Sequence, residues 1–342
     1  MSDFVVHKGQ RTAGTLARSY GSDVTDINFE HKEATTIRLA DDRVGAGSCL
    51  GCGSAPCMDK DISELTLSGP LNAFPGDPNL EVCPTRAISW DITNKVAKVS
   101  SNSCIGCGLC VVRCPYGAIS LADGLVARVE TSDPDSLVVA GEANGQHSQP
   151  TRNGQIATLD APAAAALPEN VSALDDTRTN LFVRNLLNEV GVNARVRRRG
   201  DTNMRIDAAG ITNSKRPFVA EIETGIGVLD SPRALLEDVA VLHARYCYAV
   251  ADIDPVSIVL TLPNVRVEYY RVMLDIEAVL NVRCRTITIG VLIALLWNGS
   301  RLDGFKNEAF AVRHGTLNLA ESIDLPETTL IEPYPGAFTP AK

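Results

Sequence analysis

Apolar residues in the second half of the chain recur either at helical spacing or in short runs typical of strands. The segment 180–190 has apolar positions three and four residues apart, which predicts a helix. A second helix is predicted to begin at Pro232 with Ser231 as its N-cap, and a third to span about 268–282. The strands predicted between and after these helices are 194–199, 204–207, 218–223, 256–262 and 285–292. This order, α-β-β-β-α-β-α-β, predicts a mixed sheet flanked by helices.

The first half of the chain has shorter apolar runs, and two of its segments repeat each other. The stretch from Cys83 to Ser89 mirrors the stretch from Cys114 to Ser120, as an internal duplication would. A β-like run follows each closing cysteine and precedes a polar turn and a second run. The predicted hairpins therefore pair 88–91 with 96–99, and 119–121 with 126–129.

The spacing of eight cysteines in this half is typical of metal ligands. Cys104 to Pro115 has the pattern C-x2-C-x2-C-x3-C-P, in which one tight loop can hold three corners of a cubane cluster. Gly106 and Gly108 allow the backbone to curl close to the sulfurs. An earlier set, C-x2-C-x4-C, is followed after 25 residues by Cys83-Pro84. Buried inert thiols and a structural zinc site are the alternatives, and four cysteines within eleven residues favour a cluster.

Residues 46–130 resemble the bacterial two-[4Fe-4S] ferredoxin family in this cysteine pattern and in the duplication. The resemblance implies two clusters with three ligands from one run and one from the other. The first cluster would take Cys49, Cys52, Cys57 and Cys114, and the second would take Cys104, Cys107, Cys110 and Cys83. The chain departs from the family in the wider first run and in an insertion at 58–82. The wider run leaves open whether the first cluster is [4Fe-4S] or [3Fe-4S].

Charge and cysteine use limit the compartment and the partners. The net charge of the whole chain is −9, and residues 1–170 contribute 13 Lys and Arg against 20 Asp and Glu. The acidic first half therefore suits a basic redox partner. The longest apolar run, 287–297, has 11 residues where a membrane span needs about 20, so a buried strand or core helix is expected and no membrane insertion. The cysteine content and the lack of an export signal at the start predict a reducing, cytoplasmic location.

The predicted fold class is α+β, with a ferredoxin-like dicluster domain ahead of an α/β mixed-sheet domain. Gly, Pro, Asn, Gln and Ala are dense between the two and predict a linker. The predicted boundaries are an arm at 1–45, the dicluster domain at 46–130, the linker at 131–175, the second domain at 176–300 and a tail at 301–342. Neither a dinucleotide fingerprint nor a P-loop occurs in the sequence.

Residues 178–295 resemble the restriction-endonuclease-like PD-(D/E)xK nucleases in element order and in the position of acidic residues. The family motif maps onto Asp207 and, with thirteen residues intervening, onto Glu221-Ile222-Glu223. The resemblance implies that these carboxylates hold Mg²⁺ for phosphodiester cleavage of DNA or RNA, with Glu189 as a further acidic residue. The chain departs from the motif because Glu223 replaces its Lys. The alternative is that these acids are solvated ends of strands.

Arg195, Arg197 and Arg199 would line one face of a strand and form a candidate phosphate-contacting stripe. The alternative is a charged hairpin that pairs with Asp201 or with the acidic first half.

Two functions follow from the sequence. One is an iron–sulfur protein fused to a metal-dependent nuclease, and the other is a ferredoxin-type electron-transfer subunit whose second domain only docks a redox partner.

Overall fold

The computed structural model describes parts of two compact units. The described ranges are 5–7, 34–36, 55–92, 96–100, 103–113, 119–121, 128–130, 155–156, 161–305, 318–323 and 332–340. Unit 1 comprises Met1–Lys60, Glu81–Leu167 and Leu296–Gly299, and unit 2 comprises Asp61–Leu80, Pro168–Leu295 and Ser300–Lys342. Both units are discontinuous in sequence.

Unit 1 contains small antiparallel sheets and one short helix next to the cysteines. Its elements are β1 (Val5–His7), β2 (Ala34–Thr36), β3 (Ile88–Asp91), β4 (Val96–Val99), α1 (Leu109–Arg113), β5 (Ile119–Leu121), β6 (Arg128–Glu130) and β7 (Gln155–Ile156). The hairpin of β3 with β4 confirms the first predicted pair. The second predicted hairpin is wrong, because β5 pairs with β2 while β6 pairs with β1 and β7. Both β1 and β2 come from the predicted arm, whose pairing no local turn signal specifies.

Unit 2 is built on a five-stranded mixed sheet with the order β12-β11-β10-β9-β8. Strands β8, β9 and β10 form an antiparallel meander, and β10, β11 and β12 are parallel. The strands are β8 (Asn193–Val196), β9 (Ala208–Ile211), β10 (Pro217–Glu223), β11 (Asp254–Val259) and β12 (Arg285–Thr288). The helices are α2 (Ala161–Ser172), α3 (Asp176–Glu189), α4 (Ser231–Tyr246), α5 (Tyr269–Leu280) and α6 (Ile289–Asn298). Helix α2 up to Leu167 and α6 from Leu296 belong to unit 1. Mixed helix and sheet confirm the α+β class.

Three elements differ from their predictions. The strand predicted at 204–207 lies at 208–211. The prediction missed it because Ala208, Ala209 and Gly210, although all buried, show no alternation of apolar and polar residues. The apolar run 287–297 divides at Ile289 into the end of β12 and the start of α6, so it is neither one strand nor one helix. Helix α2 occupies part of the predicted linker, where alanines favour a helix more strongly than a flexible chain.

The insertion in the ferredoxin-like sequence belongs mostly to unit 2, where it covers the edge strand β8. The Asp77 N–H donates to the Val196 carbonyl at 2.8 Å, and Gly76 forms an isolated bridge with Arg197. The side chain of Phe74 is 1% exposed and its ring centroid lies 6.5 Å from that of Tyr246. The segment thus protects an edge that would otherwise present unpaired backbone groups.

The described part of the C-terminal tail also packs into unit 2. The Tyr334 hydroxyl donates to the Leu260 carbonyl at 2.7 Å, and the Leu262 N–H donates to the Gly336 carbonyl at 2.9 Å. Among the described residues, none of the helices has the length and apolar character that crossing a membrane requires.

Candidate metal centre

One loop of unit 1 presents three of the predicted cysteine ligands. Residues 104–108 have no regular secondary structure and lead directly into α1. Gly106 and Gly108 have φ angles of 72° and 85°, in the left-handed region that residues with a Cβ rarely adopt. The loop therefore curls as the sequence predicts, and Cys107 becomes almost fully buried.

The fourth predicted ligand of this cluster, Cys83, lies in the same neighbourhood. The Ala87 N–H donates to its Sγ at 3.2 Å. Burial raises the pKa of the Cys107 thiol, and the neighbouring Cys83 and Cys104 add to that effect, while the N–H of Leu109 opposes it. The thiols are thus close enough to disfavour one another's ionisation. Bound iron would offset that cost because it ligates cysteine as thiolate.

The donor set of this site fits an iron–sulfur cluster. Burial also raises the pKa of Cys110, followed by the effects of the other thiols, including Cys57 from the first predicted run. Sulfur ligands in a buried loop with N–H groups directed at them are the features that bind such clusters and set their potentials. Three of the eight predicted ligands, Cys49, Cys52 and Cys114, lie outside the described residues.

Unit 2 brings together the acidic residues predicted for the second site. In the antiparallel register Ala208 is opposite Ala220, so Asp207 at the start of β9 adjoins Glu221 near the end of β10. The Ile222 N–H donates to Oδ2 of Asp207 at 3.2 Å. Burial raises the pKa of Glu223, and the negative charge of Asp207 adds to it. These acids are therefore clustered and partly desolvated, not solvated strand ends.

Asp238 on α4 belongs to the same cluster, although the sequence analysis did not identify it. The residue is 0% exposed, and neither of its carboxylate oxygens finds a hydrogen-bond donor among the described residues. Glu221 is its neighbour in the cluster, and each of these two carboxyls affects the pKa of the other. Burial first, and then the negative charge of Asp207, raises the pKa of Glu221 to about 9, and burial raises the pKa of Asp238 to about 7. Its signal in the sequence is its position on the buried face of α4, three residues after Leu235.

Glu189 does not join the cluster. It ends helix α3, whereas Asp176 begins that helix and raises the pKa values of Asp207 and Glu223 through its charge. Thirteen residues of helix separate the two ends by about 20 Å. Of the two acidic residues at the ends of α3, Asp176 is therefore the one that lies near the cluster.

The three arginines of the predicted stripe have different surroundings. Arg195 donates to the Asn72 carbonyl at 3.3 Å under the insertion, Arg197 lies 3.4 Å from Asp207, and Arg199 is exposed. The stripe is therefore not a free basic face. A cavity of about 270 Å³ adjoins this region and is lined by Asp77, Asp176, Thr177, Asn180, Val196, Arg197, Arg198, Arg199, Gly200, Asp201 and Thr202.

Within the described ranges, no three His, Cys, Asp or Glu side chains are arranged to ligate one common metal ion. For the carboxylate cluster this means that binding a divalent cation requires the side chains to move closer together. The carboxylates repel one another in their charged forms, and the raised pKa values reflect that repulsion together with burial.

Residues 76–124 match the LdpA Fe-S cluster-binding domain family. This stretch contains Cys83, Cys104, Cys107, Cys110 and Cys114. The chain is 30% identical to NrfC of Escherichia coli K12 over 94 residues, which cover 20% of this chain and 41% of NrfC. It is 33% identical to an uncharacterised ferredoxin of Methanocaldococcus jannaschii over 75 residues, 22% of this chain and 31% of that protein.

A probable ferredoxin of Methanosarcina thermophila is 53% identical over 38 residues, 11% of this chain and 66% of that protein. The chain spans about two fifths of the length of NrfC. No solved structure matches the chain. The comparisons therefore identify an iron–sulfur domain of ferredoxin type in this chain.

Proposed function

We propose that this protein holds two [4Fe-4S] clusters and transfers electrons to a protein partner. The observation that carries the proposal is the group of Cys83, Cys104, Cys107 and Cys110, in which Cys107 is buried and the others are half-buried, within the stretch that matches an iron–sulfur binding family. The other cluster, the first in sequence order, would take Cys49, Cys52, Cys57 and Cys114.

The local contacts support a redox role for these sulfurs. N–H groups of Ala87 and Leu109 point at sulfur atoms, and such hydrogen bonds stabilise the added negative charge of a reduced cluster. The names of similar proteins add weight, since two are ferredoxins and one is Hydrogenase-4 component A of Escherichia coli, which is 49% identical over 43 residues. Residues 1–170 have a net charge of −7, which favours a basic partner through long-range attraction.

The test is the iron and acid-labile sulfide content of the full chain purified without oxygen, beside two cysteine variants. Cys104→Ala removes one ligand of the cluster that Cys83 completes, and we expect it to lose about half of the iron. Cys284→Ala is the matched control, because Cys284 is a buried cysteine of unit 2, outside the candidate metal centre. Unchanged iron in Cys104→Ala, or bound zinc in the wild type, would refute the proposal.

A second candidate function is metal-dependent phosphodiester hydrolysis of DNA or RNA in unit 2. One specific observation favours it, namely that Asp238 places a fully buried carboxylate, with no donor among the described residues, beside Asp207 and Glu221. A Mg²⁺ ion held by these carboxylates would activate water for attack on a phosphodiester. The five-stranded mixed sheet, which places Asp207 and Glu221 on neighbouring strand ends, supports this candidate.

This candidate is tested by incubating the holoprotein and Mg²⁺ or Mn²⁺ with plasmid DNA, single-stranded DNA and RNA. We expect cleavage by the wild type and its loss in Asp238→Asn. Glu237→Gln, one residue away on α4 and partly exposed beside Arg205, should cleave normally. Equal cleavage by both variants, or none by the wild type with intact clusters, would eliminate hydrolysis of these substrates.

A further inference from the structure

Trp297 makes a direct contact with the cysteine loop, although it lies 190 residues further along the chain. Its indole Nε1 donates a hydrogen bond to the main-chain carbonyl of Cys107 at 3.0 Å. The side chain is 2% exposed, and its segment Leu296–Gly299 belongs to unit 1 together with the loop. The contact is therefore internal to the unit that holds the candidate metal centre.

Among the described residues, the Trp297 indole is the donor to the carbonyl of Cys107. The loop around it has left-handed φ angles at Gly106 and Gly108, so it forms no helical or strand ladder. At the start of α1, the Val112 N–H donates to the Gly108 carbonyl at 2.9 Å. That acceptor belongs to the residue after Cys107, so this bond does not satisfy the Cys107 carbonyl. A buried carbonyl without a donor is destabilising, and the indole removes that penalty.

We propose that Trp297 is a positioning residue of the cluster held by Cys83, Cys104, Cys107 and Cys110. It fixes the backbone on which the central cysteine is mounted, and its ring keeps water away from that side of the loop. The inference deepens the proposed function and depends on cluster binding at these cysteines. It also assigns a role in the redox site to a residue that the ferredoxin-like segment of the sequence does not contain.

The two parts of the indole have separable effects. Removing the N–H while keeping a ring, in Trp297→Phe, leaves the Cys107 carbonyl unsatisfied and loosens the loop. Removing the ring, in Trp297→Ala, also admits water. Reduction adds negative charge to a cluster, and water stabilises that charge better than an apolar ring does, so the reduction potential should rise in Trp297→Ala.

Fluorescence tests the position of Trp297 without altering it. The chain has two tryptophans, and Trp90→Phe leaves Trp297 as the only one. We expect its emission in the full chain to be strong without iron and largely lost after anaerobic cluster assembly, because the cluster would lie against the loop that the indole contacts. Equal emission of the two forms, with cluster loading confirmed by absorbance and iron content, would overturn the proposal.

Cluster stability and potential test the role of the N–H group. We expect chelator-driven loss of iron to be about tenfold faster in Trp297→Phe than in Trp90→Phe, the factor that one unsatisfied buried carbonyl can carry. The potential should shift upward in Trp297→Ala if that variant folds. A loaded Trp297→Phe that matches Trp90→Phe in rate and potential refutes the positioning role. Failure of every form to assemble a cluster would instead refute the proposed function.

Discussion

Two buried carboxyls, Glu221 and Asp238, couple the stability of unit 2 to pH. Burial and neighbouring carboxylates raise the pKa of Glu221 to about 9, above its ordinary value of 4.5. The folded state therefore holds a proton that the unfolded state releases as the pH rises from about 4.5. The stabilisation is complete below pH 4.5 and is lost progressively up to about pH 9.

Glu221→Gln, which is neutral at every pH, should remove most of this dependence. We expect the variant to be more stable than the wild type at pH 9 and to show a flatter profile of unfolding free energy between pH 5 and pH 9. Chemical denaturation followed by far-ultraviolet circular dichroism at several pH values measures it. Glu277→Gln, whose carboxylate accepts from Arg283 at 2.7 Å, is the control and should not flatten the profile. A wild-type profile that rises with pH would contradict this coupling.

At the residue level, spacing predicts ligands that share one loop better than it predicts partners from distant elements. The run from Cys104 to Cys110 forms the expected curled loop because its glycines allow that conformation. Asp238 and Trp297 escape the same reasoning, since each reaches its neighbours through the packing of a helix. Their identity as a buried acid and a buried indole shows only after the fold is known.

Gly210 in β9 lies where neighbouring atoms leave no room for a side chain. A methyl group on Gly210 would overlap the main-chain oxygen of Asn193 and come within 2.5 Å of the Phe218 ring. We expect Gly210→Ala to destabilise unit 2 by about 2 kcal/mol or more, because β8 and the Phe218 ring would have to shift. The measurement is the denaturation midpoint of unit 2.

Gly225→Ala provides the matched control. Among the described residues, no atom lies within 4 Å of the place that its new methyl group would occupy, and its φ of −129° suits any residue. This variant should unfold within about 0.5 kcal/mol of the wild type. Similar losses in both variants would show that the close approach at β9 is not what selects glycine.

Apolar periodicity predicts the elements of unit 2 wherever one face of a helix or strand is buried. Helices α3, α4 and α5 all lie within a few residues of their predicted bounds. The same periodicity misplaces β9, because its residues are all buried and do not alternate between apolar and polar. It also merges β12 with α6, since both are buried on every side and a continuous apolar run has no period.

At the scale of the molecule, sequence order and compact units do not coincide. Phe74 lies within the ferredoxin-like stretch of the sequence but packs in unit 2. We therefore expect Phe74→Ala to lower the unfolding free energy of unit 2 by about 3 kcal/mol while the cluster absorbance remains unchanged. Val279→Ala, at a side chain that is 80% exposed, should alter neither. Loss of the clusters with an unchanged unit 2 would contradict this division.

The domains predicted from the sequence are consecutive stretches of the chain, so they could not place residues 61–80 in the same unit as the later sheet. Composition marks the polar stretch after residue 130, but it does not show that residues 61–80 cover an edge strand of the later sheet. That pairing is made by backbone groups of β8, and the residue types of the insertion do not indicate it.

The most direct test of the central claim is a redox titration of the full chain without oxygen, monitored by electron paramagnetic resonance. We expect reversible one-electron reduction of two clusters at potentials within the range of about −700 to +450 mV known for iron–sulfur proteins. We also expect Cys104→Ala to abolish one of the two signals. A chain that binds no reducible iron, or whose signals do not change in Cys104→Ala, would contradict the claim.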